Sequence, residues 1–310
     1  MHKMICKSSE NILKIFFLLV IVVLCAFNLN SPKTISVIGD EFGYWSAAAF
    51  FNNIDWNSVA SINPYYSYGY GILLSVIMAL FKNPLIMYKV AIVLNIALVC
   101  GIFFLIYFCA KKFFPHQTAW KLLCLSFIVT VYPSNLYFTQ LTMVEIFLTF
   151  TYWGILAVFL ENQKDERLWK EILLTFLSIF IFFVHQRCLG ITVAAMACLL
   201  LDLLKNRKYR KLVFLIVSAV IFCFIGLYIK NIYQDYLFST AISSDTMAQN
   251  DFGGQIGKIT YLLSFEGIFA FIKSVLGKVF YMGTATFLVS YFSIAPVSYT
   301  HLRAHETELH

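Results

Sequence analysis

The chain has 310 residues, of which 60% are hydrophobic, 18% aromatic and only 13% charged, with a net charge of +7. Soluble domains carry roughly 25% charged residues, so this composition excludes a water-soluble globular protein and indicates a multi-spanning membrane protein. The positive charge lies mostly in short turns between apolar runs, so it gives nucleic-acid binding little support.

The apolar runs are continuous rather than alternating, which predicts helices that satisfy their own backbone hydrogen bonds in lipid. The first run has three lysines, Lys3, Lys7 and Lys14, before or near its start, is as long as a bilayer span and precedes no small-x-small cleavage pattern. It is therefore interpreted as a retained helix rather than a signal peptide. In chain order the predicted spans are residues 12–29, 90–110, 122–138, 143–160, 172–184, 188–204, 212–229 and 279–295.

A ninth apolar run, residues 68–81, decides the predicted topology because counting it as a span would invert every later segment. Lysine and arginine favour cytoplasmic loops. If residues 68–81 lie along the outer surface, most basic residues, including the dense cluster at 205–211, fall on the inner side. This arrangement predicts a cytoplasmic N-terminus and places two long loops, about 30–89 and 230–278, outside.

The predicted fold is therefore all-α: a polytopic transmembrane helical bundle of about eight spans with a long outer first loop. That loop is expected to carry amphipathic interfacial helices. One of them should follow Asp40, because Tyr44, Trp45, Ala48 and Phe51 recur on related turns.

The end of the chain differs from the rest. From about Val297 it becomes polar, and residues 298–307 resemble translated sequencing-adapter read-through from a metagenomic assembly. Residues 297–310 are therefore excluded from the predicted fold. Residues 1–296 are expected to be a truncated transmembrane module, the N-terminal part of a longer protein.

Carboxylates are scarce in this chain, and two of them, Asp40 and Glu41, lie side by side shortly after the first predicted span. A carboxylate at a membrane edge can remove a proton from a reacting group, and Asp40 can also cap the helix that begins beside it. Glu145 lies two residues into a predicted span. A carboxylate there is costly and indicates function, unless it reaches water at the interface.

One short basic turn, which contains His185 and Arg187, falls on the predicted outer side. A guanidinium offers paired donors to a phosphate group, and anchoring to lipid headgroups is the alternative interpretation. His185 could instead bind a metal ion, but no other candidate ligands lie at the sequence spacing that a metal site would need.

The order and spacing of several features between residues 10 and 230 resemble the GT-C glycosyltransferases. These features are the first span, the outer acidic pair, the turn Tyr-Gly-Tyr-Gly at 68–71, the basic inner turn at 111–114, and the Pro-Ser pair at 133–134 before an outer carboxylate. The nearest group is that of the protein O-mannosyltransferases and the lipid A aminoarabinose transferases.

The resemblance implies a cell-envelope enzyme that moves a sugar from a polyprenyl-phosphate donor to a lipid, glycan or protein acceptor. The reaction would take place on the outer face of a membrane, in bacteria the plasma membrane. Asp40 would be the catalytic base with Glu41 as its neighbour, and Glu145 the second acidic residue of the family. Gln140 would help to bind the sugar. No cofactor is firmly implied, and a divalent metal ion is left open.

Two other classes of function stay open. A transporter or lipid-linked sugar flippase would have ionisable or broken helices near the bilayer midplane and repeated halves. The acids of this chain instead lie at the predicted outer edge, and no internal repeat is found. A non-catalytic membrane scaffold would not require the acidic pair.

Overall fold

The computed structural model describes residues 2–27, 29, 40–56, 67–162, 167–238, 264–266, 268–269 and 272, with side chains from Glu10 onward. The elements in these ranges are helices, which confirms the all-α prediction. They are α1 (His2–Ala26), α2 (Asp40–Phe51), α3 (Gly69–Leu80), α4 (Pro84–Phe113), α5 (Ala119–Thr130), α6 (Pro133–Thr139), α7 (Glu145–Asn162), α8 (Leu168–Val184), a 3₁₀ turn (Gln186–Cys188), α9 (Leu189–Lys205) and α10 (Tyr209–Phe238).

Three helical segments are long and apolar enough to cross a membrane: Pro84–Phe113, Gln186–Lys205 and Tyr209–Leu237. Helices α5 and α6 would form a fourth span if the two are taken together. These segments support a membrane protein. The span predicted at 279–295 lies outside the described residues.

The predicted span 122–138 is not one continuous helix. Helices α5 and α6 meet at an angle of 57° around Val131 and Tyr132. The cause is Pro133, since the residue before a proline is driven out of the helical region, and Tyr132 has an extended ψ of 134°. Asn135 Nδ2 donates to Thr130 O at 3.1 Å and so satisfies one carbonyl near the break.

Helix α2 forms where the sequence predicts it, but the expected division into an apolar and a polar face is not found. Residues 43–49 are buried in succession, so the helix is enclosed on every side. Helix α3 packs against it so closely that a Cβ on Gly71 would lie 2.4 Å from the Ala47 Cβ. Only glycine at this position allows the two helices to approach in this way.

The two ends of the bundle differ in character. At one end, Glu10 pairs with Lys14 at 2.7 Å and accepts a hydrogen bond from Tyr107 Oη, also at 2.7 Å. These bonds lower the pKa of Glu10. Glu161 there binds Lys112 at 3.0 Å. The basic turns predicted to share one side of the membrane therefore do lie together.

The acidic pair lies at the opposite end. Helix α2 begins there with Asp40 and Glu41, next to the first turns of α4 and the segment 140–144 that leads into α7. The relative placement of acidic and basic groups thus agrees with the charge pattern of the sequence.

Candidate functional site

Four of the residues singled out in the sequence lie together at the end of the bundle where α2 begins. Asp40 starts α2, Glu145 starts α7, His185 follows α8 and Arg187 lies in the 3₁₀ turn. The charges of Asp40 and Arg187 both act on Glu145 and on His185. The fold therefore brings together two carboxylates, an imidazole and a guanidinium from three places in the chain: the start of α2, the start of α7 and the turn after α8.

Glu145 has an unusual environment within this group. Its Oε2 atom is buried and has no hydrogen-bond partner among the described residues. Buried polar atoms in native structures nearly always have a partner, so an unsatisfied carboxylate oxygen indicates a place for a ligand or water. Arg187 supplies favourable charge nearby, which helps to offset the cost of burying this carboxylate.

His185 is held in its neutral form. Burial lowers its pKa to about 4, the charge of Arg187 acts in the same direction, and Asp40 opposes them. The Nδ1 atom accepts a hydrogen bond from the Arg187 backbone N–H at 3.1 Å. At neutral pH the positive charge of the turn therefore belongs to Arg187.

The lowered pKa of His185 predicts how the stability of the protein depends on pH. Since unfolding returns His185 to its ordinary pKa of 6.5, the stability it contributes is complete above about pH 6.5 and declines as the pH falls toward 4. We expect His185→Gln to reduce the loss of melting temperature between about pH 7.5 and about pH 5. An unchanged pH dependence in the variant would show that His185 is not held neutral.

Glu41 differs from Asp40 in its surroundings. It is fully buried, and its Oε2 accepts from Thr142 N at 2.9 Å and from Thr142 Oγ1 at 2.5 Å. Trp45 Nε1 donates in turn to Thr142 Oγ1 at 3.1 Å. Asp40 is only partly buried. The carboxylate of Glu41 thus ties α2 to the segment that precedes Glu145.

Further bonds hold the same segment in place. The Gln140 side-chain amide donates to Cys25 O on α1, and the Gln140 carbonyl accepts from Tyr88 Oη at 3.3 Å. Asn95 Nδ2 donates to Leu141 O at 2.7 Å. Gln140, predicted to bind sugar, therefore has a structural bond to α1, and its sugar contact stays a prediction.

Sequence reasoning missed the supporting roles of Tyr88 and Asn95. Asn95 is fully buried in the middle of an apolar helix, where it also accepts from Tyr70 Oη at 3.3 Å. A polar amide within a predicted span is itself a signal of a packing or functional role, and this signal could have identified the residue.

The described residues contain no group of three or more histidine, cysteine, aspartate or glutamate side chains placed to hold a metal ion. Comparison of this chain with protein-family models, with curated proteins and with solved structures finds no match, so the family resemblance rests on the sequence features alone.

Proposed function

We propose that the protein is a membrane glycosyltransferase of the GT-C type, which transfers a sugar from a polyprenyl-phosphate donor to an acceptor on the outer face of the membrane. The observation that carries the proposal is the convergence of Asp40, Glu145, His185 and Arg187 at the end of the bundle opposite the basic turns. A base for the acceptor and a cation for a departing phosphate are then available in one place.

In the proposed reaction, Asp40 takes the proton of an acceptor hydroxyl. The hydroxyl oxygen forms a bond to the anomeric carbon of the sugar while the bond from that carbon to the phosphate oxygen breaks. The phosphate leaves with the electron pair, and Arg187 neutralises its charge through paired N–H donors. One base suffices for this direct displacement, whereas glycoside hydrolysis uses two carboxylates.

Asp40 fits the role of base better than Glu41. Asp40 is partly exposed, so an acceptor can reach it from the aqueous side. Glu41 is fully buried and bound by two donors of Thr142. We assign to Glu41 the positioning of α2, and with it Asp40, relative to α7. The free oxygen of Glu145 is proposed to accept a hydrogen bond from a sugar hydroxyl.

The proposal includes a topology. Helices α1, α7 and α8 are taken as further spans, α3 as an interfacial helix on the outer surface, and the N-terminus as cytoplasmic. This topology places the basic ends of α1, α4 and α8 in the cytoplasm, as the positive-inside rule favours, and the acidic site outside. A bacterial plasma membrane, with polyprenyl-phosphate sugar and membrane lipids as partners, is the proposed location.

Cysteine labelling tests this topology. We expect His116→Cys in a cysteine-free background to resist an impermeant thiol reagent in intact cells, because the exposed turn between α4 and α5 would face the cytoplasm. Asp55→Cys, in the exposed stretch after α2, is the matched control and should be labelled. Labelling at position 116 in intact cells would overturn the orientation.

Arg187→Ala is expected to raise the donor concentration required and to lower kcat/KM by about 10- to 100-fold. A hydrogen bond to a charged group contributes about 1.5–3 kcal/mol, and each 1.4 kcal/mol corresponds to about tenfold. Arg187→Lys should restore only part of the activity, because an ammonium cannot make the two-point contact. Lys121→Ala, an exposed cation in α5, is the control and should leave donor use unchanged.

The second candidate, a lipid-linked sugar flippase, has one observation in its favour. The bend between α5 and α6 is a broken helix of the kind that transporters place at their binding sites. A flippase moves the lipid-linked sugar without breaking its bond to phosphate. Release of polyprenyl phosphate during turnover of purified protein therefore favours the transferase, and translocation with an intact donor favours the flippase.

A further inference from the structure

A second charged site lies at the end of the bundle opposite Asp40. A half-open surface cavity of about 370 Å³ lies between the start of α8 and the turn that joins α9 to α10, and its Arg207 and Arg210 are exposed. Four of its six lining residues are cationic: the lining consists of Leu168, Arg207, Lys208, Tyr209, Arg210 and Lys211. The preference of basic residues for inner loops accounts for the charges, but it does not require them to surround a cavity.

The backbone of this turn places Arg207 where glycine would be expected. Arg207 has a φ of +52°, and its N–H donates to Leu204 O at 3.1 Å. The Lys208 N–H donates to Leu203 O at 2.9 Å. This pair of bonds ends a helix with one residue in the left-handed region, a position that favours glycine or asparagine. The chain therefore keeps a guanidinium at this cavity in spite of local strain, which points to a role for it.

The cations of the cavity differ in how they are held. Lys211 is buried, and its Nζ lies 3.5 Å from Asn162 Oδ1, while Asn162 Nδ2 donates to Glu171 Oε2 at 2.6 Å. Within the described ranges, Arg207, Lys208 and Arg210 form no ion pair with a carboxylate within 4.0 Å. Lys211 thus has a fixed position, and three further cations are available to an anion.

The aromatic side chains around the cavity suit a lipid headgroup. Tyr209 in its lining and Trp169, next to Leu168, are largely exposed. Exposed aromatic side chains of this amphipathic kind favour the interface between headgroups and acyl chains. Basic pockets between transmembrane helices on the cytoplasmic side are typical sites for anionic headgroups.

We propose that this cavity binds a phosphate group carrying a net negative charge. Arg207 and Arg210 would offer paired donors to its oxygens, and Lys208 and Lys211 would act as point charges. Such a phosphate can come from the headgroup of an anionic phospholipid in the adjoining leaflet or from a soluble phosphate. The site is separate from the proposed transfer site.

The test measures the melting temperature of the purified whole chain in a neutral detergent at constant ionic strength. Short-chain phosphatidic acid, inorganic phosphate and, as a zwitterionic control, short-chain phosphatidylcholine are titrated separately. We expect phosphatidic acid to raise the melting temperature of the unaltered chain and phosphatidylcholine not to raise it. A shift with phosphatidic acid alone identifies a lipid headgroup as the source, and a shift with both phosphates identifies the phosphate group itself.

Arg207→Gly gives the sharpest result, because it removes a charge and relieves the left-handed strain at once. We expect it to raise the melting temperature without ligand and to weaken phosphatidic acid binding by at least about tenfold, so that the two quantities move in opposite directions. Arg210→Gln should also weaken binding, and Lys121→Gln, an exposed cation away from the cavity, should not. Binding by neither phosphate, unchanged affinity in both arginine variants, or an equal loss in Lys121→Gln would overturn the proposal.

Discussion

Asp40→Asn is expected to lower sugar transfer by about 10²–10⁴-fold, the range that general acid–base catalysis contributes, while the protein still inserts and folds. Asparagine has the size of aspartate and can accept hydrogen bonds from the free N–H groups at the start of α2, so the helix should remain. It cannot take a proton from the acceptor. The measurement is transfer from a polyprenyl-phosphate sugar by membranes that contain either the variant or the unaltered protein.

Glu41→Gln is the matched control, since it makes the same change of charge one residue away. The glutamine oxygen can still accept from both Thr142 N and Thr142 Oγ1, but the negative charge that strengthens these two bonds is lost. Bonds of this kind contribute about 1.5–3 kcal/mol, so we expect a lower melting temperature and a smaller loss of transfer. If Glu41→Gln abolishes transfer and Asp40→Asn does not, the base is Glu41. If both retain near-normal transfer, the glycosyltransferase proposal fails.

Gly71→Ala should be among the most destabilising single-methyl changes in the described part of the chain. The added Cβ would lie 2.4 Å from Ala47 Cβ and 3.1 Å from the Ala47 carbonyl carbon, so α2 and α3 would have to move apart. Overpacking of this kind costs about 1–3 kcal/mol. Because α2 carries Asp40, we expect both the melting temperature and the rate of transfer to fall.

Two further variants test whether the loss of stability comes from the close contact between Gly71 and Ala47. Gly154→Ala in α7 adds the same methyl where nothing lies within 4 Å, so it should raise stability by up to about 1 kcal/mol through helix propensity. Ala47→Gly in the Gly71→Ala background removes the closest atom and should restore part of the stability. Equal melting temperatures for Gly71→Ala and Gly154→Ala would contradict the close packing of α2 and α3.

Hydropathy locates the helices of this protein but not their ends. The predicted run 90–110 corresponds to α4, which begins earlier because Asn83 caps it: the Asn83 Oδ1 accepts from Leu85 N at 3.0 Å and Ile86 N at 3.2 Å. The cap and Pro84 after it are visible in the sequence, so this boundary was predictable. Helix α10 likewise continues past Lys230 to Phe238, beyond the predicted end of the apolar run.

The convergence of Asp40, Glu145 and Arg187 follows from topology, since alternate helix ends must share a side of the bundle. The residues that hold these side chains in place were harder to predict from the sequence. Asn95 bonds a carbonyl 46 residues away, and Glu41 bonds a residue 101 positions away. Pairs so far apart in the sequence leave no periodic pattern from which they could be predicted. The enclosure of α2 was missed for the same reason, because residues of α7, α8 and α10, which are distant in the sequence, cover it together with the neighbouring α3.

The bond between Glu41 and Thr142 also has a consequence for biosynthesis. At about 5–20 residues per second, roughly 5–20 seconds of translation separate the two residues. A carboxylate without its partner is costly to bury, so during this interval Glu41 should remain hydrated and α2 should stay outside its final position. The acidic end of the bundle is therefore assembled late, after α5 and α6 have been synthesised and Thr142 has followed them, although Asp40 and Glu41 are made early.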